Sequence, residues 1–338
     1  MLRRVLAAAI IVTVGIALLI LAWPQLLGLQ RAPVVAQVVS LRGLEIAIAA
    51  VIVVALGFIA VLSPPLRRFA ASLAVLLLAF AALNAAVLAT RGFGSLGFET
   101  VSESSVTVLA WNTLGDAPGS AAIAELAIAS EADVVALPET TAAIGLEVVD
   151  AMAAAGRPMQ AFTIAFDEVS KSRSTTLLIS ERLGTYAVDR AEPNSLVLPT
   201  VIARPVDGSG PTIMAVHLVA PSSGEFDRWQ SDLAWIASAC DEPNVILAGD
   251  FNSTLDHFGG LAEAEGATLG DCTDSADATE NASVGTWPTN LPALLGAPID
   301  HIMSTANWSV TGMRVIENYD KFGSDHRPVL AQLAPASN

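Results

Sequence analysis

Val245-Ile246-Leu247-Ala248-Gly249-Asp250-Phe251-Asn252 is an apolar run that ends in Asp-x-Asn. Its first half has the length and composition of a buried strand. Side chains alternate along a strand, so Asp250 and Asn252 fall on the same side, two residues apart. Near the C-terminus, Ser324-Asp325-His326 sets a carboxylate beside an imidazole just before the apolar run that starts at Pro328-Val329-Leu330. Carboxylate, carboxamide and imidazole delivered from strand ends are what a divalent-metal phosphoesterase needs.

Outward from that strand the chain alternates element types. Val106 to Asn112 and Asp133 to Glu139 read as strands that finish in a polar residue. Ser120 to Ser130, Thr141 to Ala155 and the stretch carrying Phe226, Trp229, Leu233 and Ile236 have helical spacing. Further strands are expected at 161–166, 175–180, 195–203, 212–220, 300–304, 308–316 and 329–333. Such a mixture predicts an α/β fold of two packed sheets with helices outside. Seven polar residues lie at the ends of these strands: Asn112, Glu139, His217, Asp250, Asn252, Asp300 and His326. Each would cost roughly several kcal/mol if buried without a partner, so their number points to one shared site. A satisfied core histidine at 217 and a strand cap at 300 are the alternative readings.

The first hundred residues are of another kind. They hold seven Arg, no Lys and two acids, whereas the whole chain has 17 basic and 33 acidic residues. The remainder therefore carries 10 basic and 31 acidic residues, a net charge of −21. Val5 to Ala22, Leu44 to Leu62 and Phe69 to Thr90 are apolar stretches with Glu45 as their one ionisable residue. Each approaches or exceeds the ~18–20 residues that cross a bilayer. A cleaved signal peptide accounts for the first alone, so three membrane spans are expected. Arg3, Arg4, Arg67 and Arg68 fall on one side, and Arg31, Arg42 and Arg91 on the other. The concentrated Arg67-Arg68 connection favours an inside N-terminus and an acidic domain outside the cytoplasm.

Three regions follow: a membrane region over 1–93, a Gly- and Ser-rich linker over 94–104 that reads as a flexible tether, and an extracytoplasmic domain over 105–338. Cys240 and Cys272 are the two cysteines. Their spacing fits no zinc pattern, which leaves a disulfide or two buried thiols. Of the four histidines, His257 reads as a surface residue and His301 as a neighbour of Asp300.

The ordered set Trp111-Asn112, Pro138-Glu139-Thr140, Val216-His217-Leu218, Gly249-Asp250-Phe251-Asn252, Ile299-Asp300-His301-Ile302 and Ser324-Asp325-His326-Arg327-Pro328 resembles the endonuclease/exonuclease/phosphatase (deoxyribonuclease I-like) superfamily. The resemblance covers roughly residues 105 to 335. It implies a four-layer α/β sandwich, here preceded by three transmembrane helices, and a metal-dependent phosphoric ester hydrolase. By the same resemblance Glu139 is the main ligand for Mg²⁺ or Mn²⁺, Asn112 assists, and Asp325 supports the metal site. Hard oxygen ligands suit those ions. Asp250 and Asn252 orient the attacking water and the phosphate. His326 is the general base, oriented by Asp300, and His217 donates to a phosphoryl oxygen or protonates the leaving group. Lys171 and Arg173 are candidates for phosphate binding. Gly285-Thr286-Trp287-Pro288 resembles an aromatic at the active-site mouth of relatives, or else holds a core tryptophan.

No Arg- and Lys-rich DNA-contact loop is present. A domain of net charge −21 repels a polyanion, whose phosphates would otherwise supply most of the affinity. Tethering near lipid headgroups raises the effective concentration of a membrane-embedded ester. The expected substrate is thus a lipid-linked phosphate or diphosphate at the outer face of the plasma membrane. The arrangement is similar to membrane-anchored bacterial members of the teicoplanin-resistance type. An extracytoplasmic nuclease is the alternative, followed by a catalytically dead binding module.

Overall fold

The computed structural model of the 338-residue chain describes all residues except 95, 96, 101, 168, 191–193, 196, 337 and 338. At the N-terminus stand α1 (Leu2–Ala22), the short α2 (Val35–Val39), α3 (Arg42–Leu62) and α4 (Arg67–Arg91). Helices α1, α3 and α4 are long and apolar enough to cross a membrane. Both α3 and α4 begin just before their apolar runs and take in Arg42 and Arg67. Pro64 and Pro65 separate them, because proline lacks the N–H that would continue a helix.

The remaining elements are β1 (Val106–Ala110), α5 (Gly119–Ala129), β2 (Val134–Pro138), α6 (Ala142–Ala154), β3 (Met159–Ala165), β4 (Ser174–Ser180), β5 (Tyr186–Val188) and β6 (Val201–Pro205). They continue with β7 (Thr212–His217), α7 (Phe226–Ala239), β8 (Val245–Asp250), α8 (Leu255–Phe258), β9 (Thr273–Asp274), α9 (Ser275–Ala278), β10 (Asp300–Ser304), β11 (Trp308–Val315) and β12 (Val329–Pro335). One sheet has the order β11-β12-β1-β2-β4-β3, the other β5-β6-β7-β8-β10-β9. Each has a parallel pair inside it, β1 with β2 and β7 with β8, and antiparallel strands around that pair.

Alternation builds the layers. Val108, Ala110, Val134 and Ala136 of the first sheet face Ile213, Ala215, Ile246 and Ala248 of the second in one core. The intervening Leu109, Val135 and Leu137 turn outward onto Ile123, Val148 and Met152 of α5 and α6. On the far side Met214, Val216 and Leu247 meet Trp229, Leu233 and Ile236 of α7. Because both faces of these strands are covered, they read as continuous apolar runs. Each such side chain contributes about 1.5–3 kcal/mol. The result is the expected four-layer α/β sandwich.

Some expectations need correction. The strand expected from Ser195 begins only at Val201, after Pro199, which has no N–H for a ladder; Leu196 lies outside the described residues. Strands β5 and β9 are too short to show alternation and were not expected. The tether is held at several points: Gly94 N donates to Glu280 O (2.8 Å) and Glu99 N to Thr311 O (2.9 Å). Residues 95, 96 and 101 of that segment lie outside the described residues. Cys240, at the end of α7, is joined to Cys272 in a disulfide.

The apolar helices are also docked on the sandwich. Asp256 in α8 accepts from Arg42 Nε (2.9 Å) and Nη2 (2.7 Å), from Arg91 Nη1 (2.8 Å) and from Gln25 Nε2 (2.9 Å). Arg42 also donates to Ala22 O (3.1 Å) and to Asn84 Oδ1. Burial pushes the Asp256 carboxyl up, but the two guanidiniums hold it well below the usual carboxylate range. His257, expected at the surface, is fully buried. Its Nδ1 accepts from Thr254 N (2.9 Å) and its Nε2 donates to Ala36 O (3.0 Å). Sequence reading missed this because the partner, Ala36, lies in α2, more than two hundred residues away. Gly43 lets α3 touch the sandwich directly: a Cβ there would fall 1.8 Å from Leu294 O.

Candidate active site

The two parallel pairs send their carboxyl ends to the same edge of the sandwich. In the second sheet, register aligns three of the expected residues in one row, since His217 pairs with Asp250 and Asp250 with Asp300. Gly249 allows this close approach. Its φ is +143° and a Cβ would lie 2.1 Å from Val216 O. In the first sheet, Asn112 and Glu139 follow the ends of β1 and β2. Glu139 (φ 58°) and Asn252 (φ 46°) both adopt left-handed backbone. Non-glycine residues in that region store strain, which clusters at functional sites.

These residues form one buried network. His326 Nδ1 bonds Asp300 Oδ2 at 2.8 Å. Its Nε2 faces Asp250 Oδ2 at 3.8 Å and Asp325 Oδ1 at 3.9 Å. Asn112 Nδ2 donates to Asp250 Oδ2 (3.0 Å) and to Glu139 Oε1 (3.2 Å), bridging the two sheets. Asn252 donates through its backbone N to Asp250 Oδ1 (2.8 Å) and through Nδ2 to Leu218 O (2.8 Å). His217 Nε2 stands 4.0 Å from Glu139 Oε1. All eight residues expected in catalysis and metal binding are therefore brought together.

Lys171 and Arg173 are not part of this network among the described residues. Lys171 Nζ pairs with Asp116 (3.2 Å) and Arg173 Nε donates to Val197 O (3.2 Å).

Thr286 and Ser324, quoted in motifs but given no role of their own from sequence, support the site, and so does Trp287. Thr286 Oγ1 accepts from Ile299 N and Asp300 N at 3.0 and 3.1 Å, which fixes Asp300. Ser324 Oγ donates to Asn112 O (2.6 Å) and accepts from His326 N (3.0 Å). Trp287, whose role the sequence left open, is half-buried at the mouth and donates from Nε1 to Asp325 Oδ2 (2.9 Å). His301 turns away from the site and pairs with Asp274 at 2.7 Å. The signals were present in Gly285-Thr286-Trp287-Pro288 and in Ser324, but a hydroxyl in a loop carries no periodic pattern.

The electrostatics are lopsided. Burial depresses His326, yet the carboxylates of Asp300 and Asp250 outweigh it and hold the imidazole above its usual range. Burial, aided by the charge on His326, pushes His217 down to about 3, so it is neutral and can donate from one ring nitrogen. Burial raises Glu139. Burial also pushes Asp250 up to about 7, so four acidic side chains crowd around one imidazole that is held toward its cationic form, a surplus of acid groups that a divalent cation would favour as carboxylates.

The donor set fits such an ion. Asp325 Oδ1 and Asp300 Oδ1 are buried without a hydrogen-bond partner, and the remaining donors are hard oxygens. Donor atoms of Asp250, Asp300 and His326 lie within 4.8 Å of one another. In that trio His326 Nδ1 is taken by Asp300 and Asp250 Oδ2 by two amides. Asp300 Oδ1 and Asp325 Oδ1 are the buried oxygens left open among the described residues of the site.

A cavity of about 460 Å³ opens before His326 and Asn252. Trp287, Ile299 and Pro221 line it, and Ser40 and Leu41, from between the first two apolar helices, close it on one side.

The sequence profile of the Endonuclease/Exonuclease/phosphatase family matches residues 109–326, from the middle of β1 to His326. The chain belongs to that family. No curated protein matches the chain by sequence. Among solved structures, an endonuclease/exonuclease/phosphatase from Beutenbergia cavernae DSM 12333 superposes with a TM-score of 0.51 at 20% identity, over 70% of this chain and 72% of that one. D. rerio TDP2 complexed with single strand DNA product gives 0.53 at 16% identity, over 68% and 99%. The 3'-5' exonuclease (NExo) from Neisseria Meningitidis gives 0.51 at 18%, over 68% and 100%. At such identities the likeness concerns the fold. Family membership makes the chain a divalent-metal-dependent hydrolase of phosphoric esters, whose substrate the family alone does not choose.

Proposed function

We propose that this family member hydrolyses a lipid-linked phosphate or diphosphate at the outer face of the membrane. The observation that carries the reading is the cavity wall: the pocket before His326 is closed by Ser40 and Leu41, which join two membrane-length helices. A site walled by its own membrane region faces substrates held in that membrane. The net charge of −21 beyond residue 100 disfavours nucleic acid. The Cys240–Cys272 disulfide supports placement outside the cytoplasm, since such bonds persist in oxidising compartments. In this reading 1–93 is the membrane region, 94–104 the linker and 105–338 the extracytoplasmic catalytic domain.

Glu139, with Asn112 and Asp325, would hold Mg²⁺ or Mn²⁺, which when bound would supply positive charge against the phosphate and offset the carboxylate field on His326. Asp250 and Asn252 place the attacking water. His326 Nε2 takes its proton while Asp300, on Nδ1, steadies the imidazolium. Water oxygen bonds phosphorus, the bond from phosphorus to the leaving oxygen breaks, and that oxygen leaves as the alcohol or phosphate with a proton from solvent. His217, neutral, donates a hydrogen bond to a phosphoryl oxygen. Lys171 and Arg173 lie outside the network and take no part in this scheme.

The test is phosphate release from undecaprenyl diphosphate by the full-length protein in detergent with Mg²⁺, beside Asp250→Ala and an EDTA-treated sample. Release by the untreated wild type alone is expected. No release from folded wild type, with nicking of plasmid DNA under the same conditions, would replace this reading by the nuclease.

A further inference from the structure

Beyond the catalytic cavity lies a second groove of about 540 Å³, lined by Pro33, Val34, Val38 and Phe226 with Ser223 and Gly224. It shares Gln37 and Ser222 with the first cavity. The two therefore adjoin at α2, one reaching His326 and the other Val34 and Phe226. Gln37 Nε2 donates to Pro221 O where the two compartments meet, a strap across their junction. The groove is a built feature. Ala36, on the buried face of α2, packs in the same apolar cluster as Trp229 and Phe258. Arg31 Nη1 donates to His257 O (2.6 Å) and Gly259 O (2.9 Å), and Gln30 Nε2 to Gly259 O (2.8 Å). The other face of the same segment is open, with Val34 69% exposed. Trp23, Leu26 and Leu27, just after α1, are also exposed, at the level where a span ends.

We infer that residues 33–41 are part of the substrate site: they guide one extended hydrocarbon chain of a phosphate ester from the catalytic cavity, under the Gln37–Pro221 strap, to the membrane. This rests on the lipid-phosphate reading above and adds the tail to it. With the Gln37–Pro221 hydrogen bond crossing the junction of the two cavities, the assigned occupant is one linear tail of the isoprenoid kind rather than the two chains of a glycerolipid. Tail contacts act far from phosphorus, and their binding energy is expressed in kcat/KM for the long substrate while the reacting groups stay the same.

The test compares kcat/KM for undecaprenyl diphosphate and isopentenyl diphosphate, which share a headgroup, using full-length protein in detergent with Mg²⁺. Val34→Asp places a charge in the groove on an exposed residue, and Val38→Trp fills it. Either should lower the ratio of long to short substrate at least ten-fold, while Val206→Asp, on an exposed loop after β6, keeps the wild-type ratio. In parallel, a long-chain isoprenyl phosphate bearing a diazirine at its far end is irradiated with EDTA-treated protein. Label is expected on peptides covering 33–41 and 222–226. An unchanged ratio in both variants, with label elsewhere, overturns the tail path while the lipid-phosphatase reading stands. Phosphatidic acid cleaved as fast as the isoprenoid, and equally sensitive to Val38→Trp, overturns the single-chain assignment. Wild type inactive on every lipid brings down the underlying reading itself.

Discussion

Two buried polar clusters stand at the two ends of the Asp250–Asp256 segment and follow opposite rules. Around His326, the acidic side chains of Glu139, Asp250, Asp300 and Asp325 outnumber the one imidazole, and a cavity of about 460 Å³ lies in front. Around Asp256, two arginines enclose one carboxylate, and the gap between the helices and the sandwich is only about 10 Å³, room for about one water. A surplus of acid groups beside open space is where an ion and a substrate are drawn. A carboxylate whose two oxygens are taken up by guanidinium forks in a closed gap is a joint. The same kind of residue, a buried aspartate, serves chemistry in one place and assembly in the other.

Substitutions can break this contrast. Asp300→Asn removes the charge that orients His326 but keeps an acceptor for its ring N–H. Hydrolysis should fall about 10²- to 10⁴-fold with the unfolding midpoint nearly unchanged; a loss below ten-fold would show that Asp300 is only a strut. Asp256→Ala strands Arg42 and Arg91 without a counterion and should cost about 3–5 kcal/mol of stability, read by denaturant unfolding in detergent. The sign with pH is fixed. Asp256 has a depressed folded-state pKa, so its contribution is complete above the unfolded value near 4 and is lost as pH falls below it. The gap between wild type and variant should therefore narrow as pH falls from 4 toward 2, and a constant gap would refute the joint.

Gly43→Leu forces side chain against Leu294 O and should cost about 1–3 kcal/mol. It should also speed proteolysis within 94–104, because the helices no longer hold that segment to the sandwich. Unchanged proteolysis would locate the docking elsewhere. The smallest effect is expected at Asp232, a buried carboxylate with a hydrogen bond from Val219 N (3.2 Å). Burial raises it to about 6, so its ionisation opposes folding as pH climbs from 4 to 6. Asp232→Asn should gain about 1 kcal/mol at pH 8 and nothing at pH 4; equal gains at both would sink the idea.

The convergence of polar residues around His326 was legible because apolar strands that stop at a polar residue advertise themselves. His217, Asp250 and Asp300 each end or begin such a run, and register then places them side by side. The joint was not legible. Asp256 and His257 sit in a four-residue helix without periodicity, and their partners Arg42 and Arg91 are 214 and 165 residues away. Their arginines read as flanks of membrane spans, and they do stand at the ends of the membrane-length helices α3 and α4. Lys171 and Arg173 show the converse error: cations in a loop near a site need a geometry that sequence does not supply.

The Cys240–Cys272 bond has a bearing on both clusters. It joins two positions 32 apart in sequence and closes a ring that contains β8, Asp250, Asn252, Asp256 and His257. A ring of this length forfeits about 3–4 kcal/mol worth of disorder in the unfolded chain, so the segment carrying both clusters is already gathered before it folds. Under the outward placement proposed above, that ring can be sealed only after the chain has been translocated. Maturation then ends with an oxidation, and a reduced molecule would loosen its hydrolytic centre and its grip on the membrane helices at the same moment.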